Sequence, residues 1–180
     1  MNATSIRLYS LCSLVLLLTV TVIARAADQP TVRAVLEPAN GRKTAAEFAL
    51  RDSSGSTAKL KNFRGKVVLL DFWATWCTGC KEEIPWFSEF QRKYRKHGLA
   101  VVGVSMDEGG WSAVKSFLAK THVPYRMLLG DDPTAQRYGI QGLPDTFLID
   151  RRGRVAAAYM AGIVDKDDIE ANIRALLTQN

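Results

Sequence analysis

Val67-Val68-Leu69-Leu70-Asp71-Phe72-Trp73 is apolar at six of its seven positions, with no alternation of apolar and polar residues. A strand with one wetted face alternates, so an unbroken short run of this kind marks a strand covered on both sides. Leu99 to Ser105 is a second run of the same character. Between and after these runs the spacing turns helical. A helix is predicted from about Gly79 to His97, another around Trp111, Val114, Phe117 and Leu118, and a short one from Pro133 to Tyr138. A closing helix from Asp165 carries the apolar stripe Ile169, Ile173, Leu176 and Leu177. Tyr125 to Leu129 reads as a further strand, and Arg151-Arg152-Gly153 as the turn between strands Thr146–Asp150 and Arg154–Tyr159. Near the start, Phe48-Ala49-Leu50 and Thr57 to Leu60 flank Asp52-Ser53-Ser54-Gly55, a hairpin signal. Strands alternating with helices and ending in a hairpin imply an α/β sandwich around a mixed central β-sheet.

The N-terminus bounds where this fold works. Arg7 precedes an apolar run from Leu8 to Ala24, and Ala24-Arg25-Ala26-Ala27 then offers small residues in cleavage-site spacing. Residues 1–26 therefore read as a signal peptide or, uncleaved, as a membrane anchor. Either way the remainder is placed outside the cytoplasm. Residues 27–45 lack sustained periodicity and read as a tether, which leaves 46–180 as the folded domain. The formal charge of +6 is dispersed among interleaved acids. No basic stripe or stacking motif points to nucleic acid.

Of the three cysteines, Cys12 falls in the targeting segment, so the domain holds only Cys77 and Cys80. Exported domains stapled by disulfides spread several cysteines along the chain. A bridge across two residues closes too small a loop to add much stability. The pair is suited to exchange chemistry instead. Placed where a buried strand gives way to a helix, both sulfurs fall on the first helical turn, within bonding reach. The unpaired N–H groups and positive dipole end of the helix favour a thiolate at Cys77. Cys80, one turn deeper, is then the thiol that resolves a mixed disulfide. Half of a zinc site is the competing reading. It would need two more ligands, and the only histidines, His97 and His122, are not in ligand spacing.

Asp71-Phe72-Trp73-Ala74-Thr75-Trp76-Cys77-Thr78-Gly79-Cys80-Lys81-Glu82-Glu83-Ile84-Pro85 resembles the active-site signature of the TlpA/ResA-like branch of thioredoxin-fold proteins. Phe63-Arg64-Gly65-Lys66 before it, and Tyr138 through Asp150 after it, agree in order. The resemblance implies a thioredoxin-like fold, a mixed sheet flanked by helices, with an N-terminal β-hairpin and a central insertion. It implies an extracytoplasmic thiol–disulfide oxidoreductase with no bound cofactor, reducing exported protein substrates with electrons from a membrane thiol-transfer protein.

Site residues follow from the same resemblance. Asp71 matches the buried acid that takes a proton from the deeper thiol, and Glu83 an acid facing the active site. Pro144 matches a cis-proline opposite the cysteines, which sets Leu143 backbone groups beside Cys77 to pair with substrate. Trp76 is read as lying beside Cys77 and limiting access to it; Trp73, Trp86 and Trp111 are read as core. Two positions depart from the pattern. Gly79 stands where many relatives have proline before the second cysteine. Asp145 stands where many have threonine, which is similar to the glutamate of the subgroup that prepares apocytochrome c. The direction of exchange stays open between reductase and disulfide-donating oxidase, and a copper-binding or chaperone protein is the non-enzymatic rival. A peroxidase is disfavoured, because no Thr-x-x-Cys element is present.

Overall fold

The structure, a computed structural model, describes residues 31–179; the expected signal or anchor segment lies outside the described residues. The chain forms β1 (Ala49–Asp52), β2 (Thr57–Lys59), β3 (Val67–Trp73), α1 (Thr78–Tyr94), β4 (Leu99–Ser105) and α2 (Gly110–Leu118). There follow β5 (Arg126–Leu129), α3 (Asp132–Tyr138), β6 (Asp145–Ile149), β7 (Val155–Tyr159) and α4 (Lys166–Leu177). The seven strands make one mixed sheet in the order β2-β1-β5-β4-β3-β6-β7. β3, β4 and β5 run parallel, while β1 and β6 pair antiparallel to their neighbours. Among the described residues no helix is long and apolar enough to cross a membrane.

β3 is buried at every position. Its period of two divides the molecule into layers. Val67, Leu69 and Trp73 face α1 and α4, where Phe87, Phe90, Ile169, Ile173 and Leu176 close the core. Val68, Leu70 and Phe72 face the opposite layer with Leu50, Leu60, Tyr138 and Phe147. Each such side chain contributes roughly 1.5–3 kcal/mol of hydrophobic stabilisation. The same parity sends Asp71 to the α1 side. The β1–β2 hairpin turns where Asp52 Oδ1 accepts the N–H groups of Ser54 and Ser56 at 3.0 Å each. Gly55 supplies the left-handed φ of 85° that the turn requires. α1 begins at its N-cap Cys77 and continues through exposed Pro85.

The segment expected as a tether behaves differently from 31 onward. Val32 forms a bridge with Val164, and Thr44 with Arg154. The Glu37 N–H donates to the Ala156 carbonyl at 2.8 Å, and the Val155 N–H to that of Lys43 at 2.8 Å. Val32, Ala34 and Leu36 face inward against the α1-side core, while the residues between them are exposed. This stretch is a strap laid along β7 and the start of α4. Its alternation covers too few residues, beside prolines and glycine, to register as a strand.

The strap is fastened at its far end by Arg42, which pairs with Asp150 at 3.2 Å with both side chains nearly buried. Arg154 holds the same carboxylate at 2.7 Å. Burial disfavours charge on Asp150, but the bonds from Arg154 and Arg42 outweigh it and hold its carboxyl below the ordinary value. A depressed folded-state value stabilises above the unfolded-state value and loses that contribution as pH falls through the folded one. Arg42→Ala should therefore cost about 2 kcal/mol at neutral pH in urea denaturation, with Arg154 retaining part of the pairing. The deficit should shrink in acid as Asp150 takes up its proton. A deficit independent of pH would mean that the Arg42 stem, rather than its charge, carries the effect.

Candidate active site

The turn that delivers the cysteines is built from both central strands. Trp73 ends β3, and Asp107, just beyond β4, reaches across to accept the Thr75 N–H at 3.0 Å and the Thr75 hydroxyl. Ser105 donates to the other side of this arrangement, its hydroxyl 2.8 Å from Asp107 Oδ2. Sequence reasoning passed over Asp107. Its signal was an acid directly after a buried strand, too common a placement to single out. Cys77 then caps α1, its Sγ accepting the Cys80 N–H at 3.1 Å. Cys77 and Cys80 are joined in a disulfide with Cα atoms 5.4 Å apart. Cys80 is fully buried, and Cys77 is 6% exposed. The outer sulfur is the one that another molecule can reach, and it sits among free helix N–H groups that stabilise negative charge.

On the strand before the pair and the helical turn after it lie two buried acids with no ion-pair partner among the described residues. Asp71 is fully buried, in register with Gly103 on β4 and Thr146 on β6. Burial pushes its carboxyl well above the ordinary range. Glu83, on the turn of α1 after Cys80, is also fully buried. Its Oε1 accepts the Val164 N–H at 2.7 Å. Burial first, and then the charge of Asp71, push Glu83 upward as well. All six buried side-chain polar atoms that lack a hydrogen-bond partner among the described residues belong to Asp71, Trp73, Glu83, Tyr125 and Thr146. Unsatisfied groups are costly in a core, so their concentration here sets this layer apart from ordinary packing. Trp73 and Tyr125 belong to the α1-side core with the cysteines. Sequence reasoning read Trp73 as core only and did not single out Tyr125.

The wall of the site comes from late in the chain. The Leu143–Pro144 peptide is cis. A Cβ placed on Gly79 would lie 3.5 Å from Pro144 Cδ and 2.8 Å from Ile163 Cγ1. Pro144 and Ile163 thus meet over the dipeptide between the cysteines, and any side chain at 79 would force Ile163 to move. Asp145 is turned inward, 1% exposed, and its Oδ1 accepts the Ala161 N–H at 2.6 Å. That bond holds Ala161 at a φ of 58°, a left-handed conformation uncommon for a residue with a side chain. Asp145 therefore meets the β7–α4 loop. Leu143 is half-buried against both core layers. Trp76 is 66% exposed beside Cys77, whereas Trp86 and Trp111 are partly buried against the core.

This arrangement, an exchangeable sulfur pair at a helix N-terminus with buried acids on the adjoining strand and helix and a cis-proline against its dipeptide, suits disulfide exchange. Residues 42–158 match the AhpC/TSA family. A thiol–disulfide oxidoreductase ResA of Geobacillus kaustophilus is 34% identical over 134 residues, 74% of this chain and 76% of that one. ResA of Bacillus subtilis is 34% identical over 112 residues, 62% of each chain. Among solved structures, a candidate thiol:disulfide interchange protein DsbE from Chlorobium tepidum superposes with a TM-score of 0.72 at 35% identity, covering 79% of this chain and 99% of its own. A thioredoxin-family protein of Chlorobium tepidum TLS shares the fold at 23% identity, with a TM-score of 0.67 over 76% of this chain and 97% of its own. The chain thus belongs to the AhpC/TSA family and is a thiol–disulfide oxidoreductase of thioredoxin fold, working through Cys77 and Cys80.

Proposed function

We propose that the protein reduces disulfides in exported proteins, with Asp71 and Glu83 handling the protons. The observation that carries this reading is the pair of buried acids, Asp71 on the strand leading to the cysteines and Glu83 one helical turn past Cys80, without an ion-pair partner among the described residues. In the reduced protein, the Cys77 thiolate attacks one sulfur of a substrate disulfide and expels the other as a thiolate. The Cys80 thiol then yields its proton to the Asp71 carboxylate and attacks Cys77. This closes the disulfide seen here and releases the second substrate sulfur. Two electrons pass to the substrate and two thiols result. A carboxyl whose proton affinity is raised toward that of a thiol exchanges protons with it at little cost. Leu143 and Pro144 supply the backbone edge for an extended substrate segment. Return to the dithiol form draws electrons from a membrane thiol-transfer protein.

The basic, apolar and small-residue pattern of 1–26 supports placement outside the cytoplasm, in the periplasm or at the outer face of the inner membrane. Apocytochrome c, with a C-x-x-C-H motif, is the specific substrate that the resemblance at Asp145 singles out. Since Asp145 contacts Ala161, its influence on substrate passes through the β7–α4 loop.

The buried acid has a signature in stability. The folded chain holds a proton on Asp71 that the unfolded chain releases, so stability falls as pH rises from the ordinary carboxylate range through neutrality. Asp71→Asn escapes that loss. Its stability relative to the parent should rise by on the order of 2 kcal/mol between about pH 4 and neutrality. The same substitution should slow closure of the Cys77–Cys80 disulfide roughly 100-fold. Equal pH dependence of stability in the two proteins would show that the fold does not raise the proton affinity of Asp71, and would remove the ground for its part in proton transfer.

Cys80→Ser removes the resolving thiol, so Cys77 should accumulate as a mixed disulfide with its substrates, stable in denaturing, non-reducing electrophoresis. Exported proteins in the trapped set support the reductase, and prominence of apocytochrome c assigns the maturation role. If Cys77 stays free in the reduced state, exchange with protein substrates is refuted and the binding-protein rival takes its place.

A further inference from the structure

The loop joining β7 to α4 is held from two sides by one peptide group. The Val164 N–H donates to Glu83 Oε1 at 2.7 Å, facing the redox site. The carbonyl of that same peptide belongs to Ile163, and it accepts the Val32 N–H at 2.7 Å. A peptide is planar, and its trans form points N–H and C=O in opposite directions. The strap, the 163–164 peptide and the Glu83 carboxyl therefore form a single hydrogen-bonded chain. Val32 is fixed in turn by the Asp165 N–H, which donates to the Val32 carbonyl at 2.8 Å. Its Cγ2 lies 2.7 Å from where a Cβ on Gly162 would stand, so the strap fits only because residue 162 has no side chain. Arg33 adds an exposed ion pair with Asp165 at 2.9 Å, and the Ala34 N–H a bond to Asp168 at 3.1 Å.

We propose that Val32 is a positioning residue of the redox site, acting through the 163–164 peptide on Glu83 and on the placement of Ile163 over Gly79. A donor on a peptide carbonyl polarises the group and strengthens its N–H as a donor, by about 10–30% per bond. It also fixes the plane of the peptide. Both effects favour the ionised form of Glu83, which among the described residues faces other acids and a neutral hydroxyl: Asp71 from β3, Glu82 from its own helix, Asp145 from β6 and Tyr125. Among the described residues no strap charge is a cause of the Glu83 shift, so the influence runs through the peptide. The N-terminal segment is thereby part of the machinery that sets proton release at the cysteines, although it lies far from them in sequence.

The inference rests on the acid role proposed for Glu83, and the test separates the two. The rate of iodoacetamide labelling at Cys77 would be followed against pH in the reduced full-length protein. Glu83→Gln should remove one inflection from the profile. Val32→Pro deletes the donating N–H and should move that inflection upward by roughly half a pH unit, because a weakened Val164 bond leaves Glu83 holding its proton longer. Gly162→Ala, which displaces Val32 from the opposite side, should produce the same shift. Val32→Ala, which keeps the N–H, should leave the inflection in place. Val32→Pro added to Glu83→Gln should change nothing further, as two members of one pathway require. If Glu83→Gln removes no inflection, the acid role itself fails. If Glu83→Gln removes it but Val32→Pro and Gly162→Ala, both folded by circular dichroism, leave it unmoved, the strap is packing only and the inference is overturned.

Discussion

Burying β3 on both faces forces the rest of the site into being. A strand with no wetted side must end somewhere that its backbone can be satisfied, and here it ends in a turn braced by Asp107 and then in the first turn of α1. The chain reverses from extended to helical within four residues, which places the cysteines on free helix N–H groups at the rim of the core. Because β3 is central, any polar residue within it is stranded away from water. Asp71 occupies that position on the layer facing α1, and its raised proton affinity follows from the place and needs no further device. Burial thus supplies both the close packing around the site and the raised proton affinity of Asp71.

The second acid is controlled differently. Glu83 shares the burial of Asp71 but keeps one oxygen on a backbone donor, so its environment is divided between desolvation and a hydrogen bond. The same loop meets Asp145 at Ala161 and Gly79 at Ile163. Position 79 is therefore constrained from outside the active-site motif, by the bulk of a residue more than eighty positions later. Gly79 and Ile163 are a matched pair.

The major elements were legible because each rests on a pattern of adequate length. The run at 67–73, the stripe at 169, 173, 176 and 177, and the Asp52–Gly55 turn all fix their structures locally. The cysteine pair was legible for the same reason, since its chemistry needs only its own spacing and the strand–helix junction. Asp71, Glu83 and Pro144 were found through resemblance; composition gives no reason to prefer Glu83 over Glu82 until the face of α1 is known. The reading of residues up to 45 as a tether missed the strap, because a three-residue alternation with isolated bridges resembles an irregular segment. Asp107, Tyr125 and Ile163 stayed hidden because their significance arises from neighbours brought together by the sheet. The inward turn of Asp145 escaped notice for a related reason: its partner is a backbone N–H, which no side-chain pattern announces.

The strap has one more consequence, in aggregation. β7 lies at an end of the sheet, and the terminal strand of any sheet offers unpaired main-chain groups to a passing polypeptide. Here Lys43, Thr44 and Glu37 occupy groups of Arg154, Val155 and Ala156 on that border. The other border, β2, is three residues long and carries Lys59, followed by Lys61. With one border covered by the strap and the other short and charged, the sheet leaves little free main-chain edge on which a second polypeptide could grow a shared sheet.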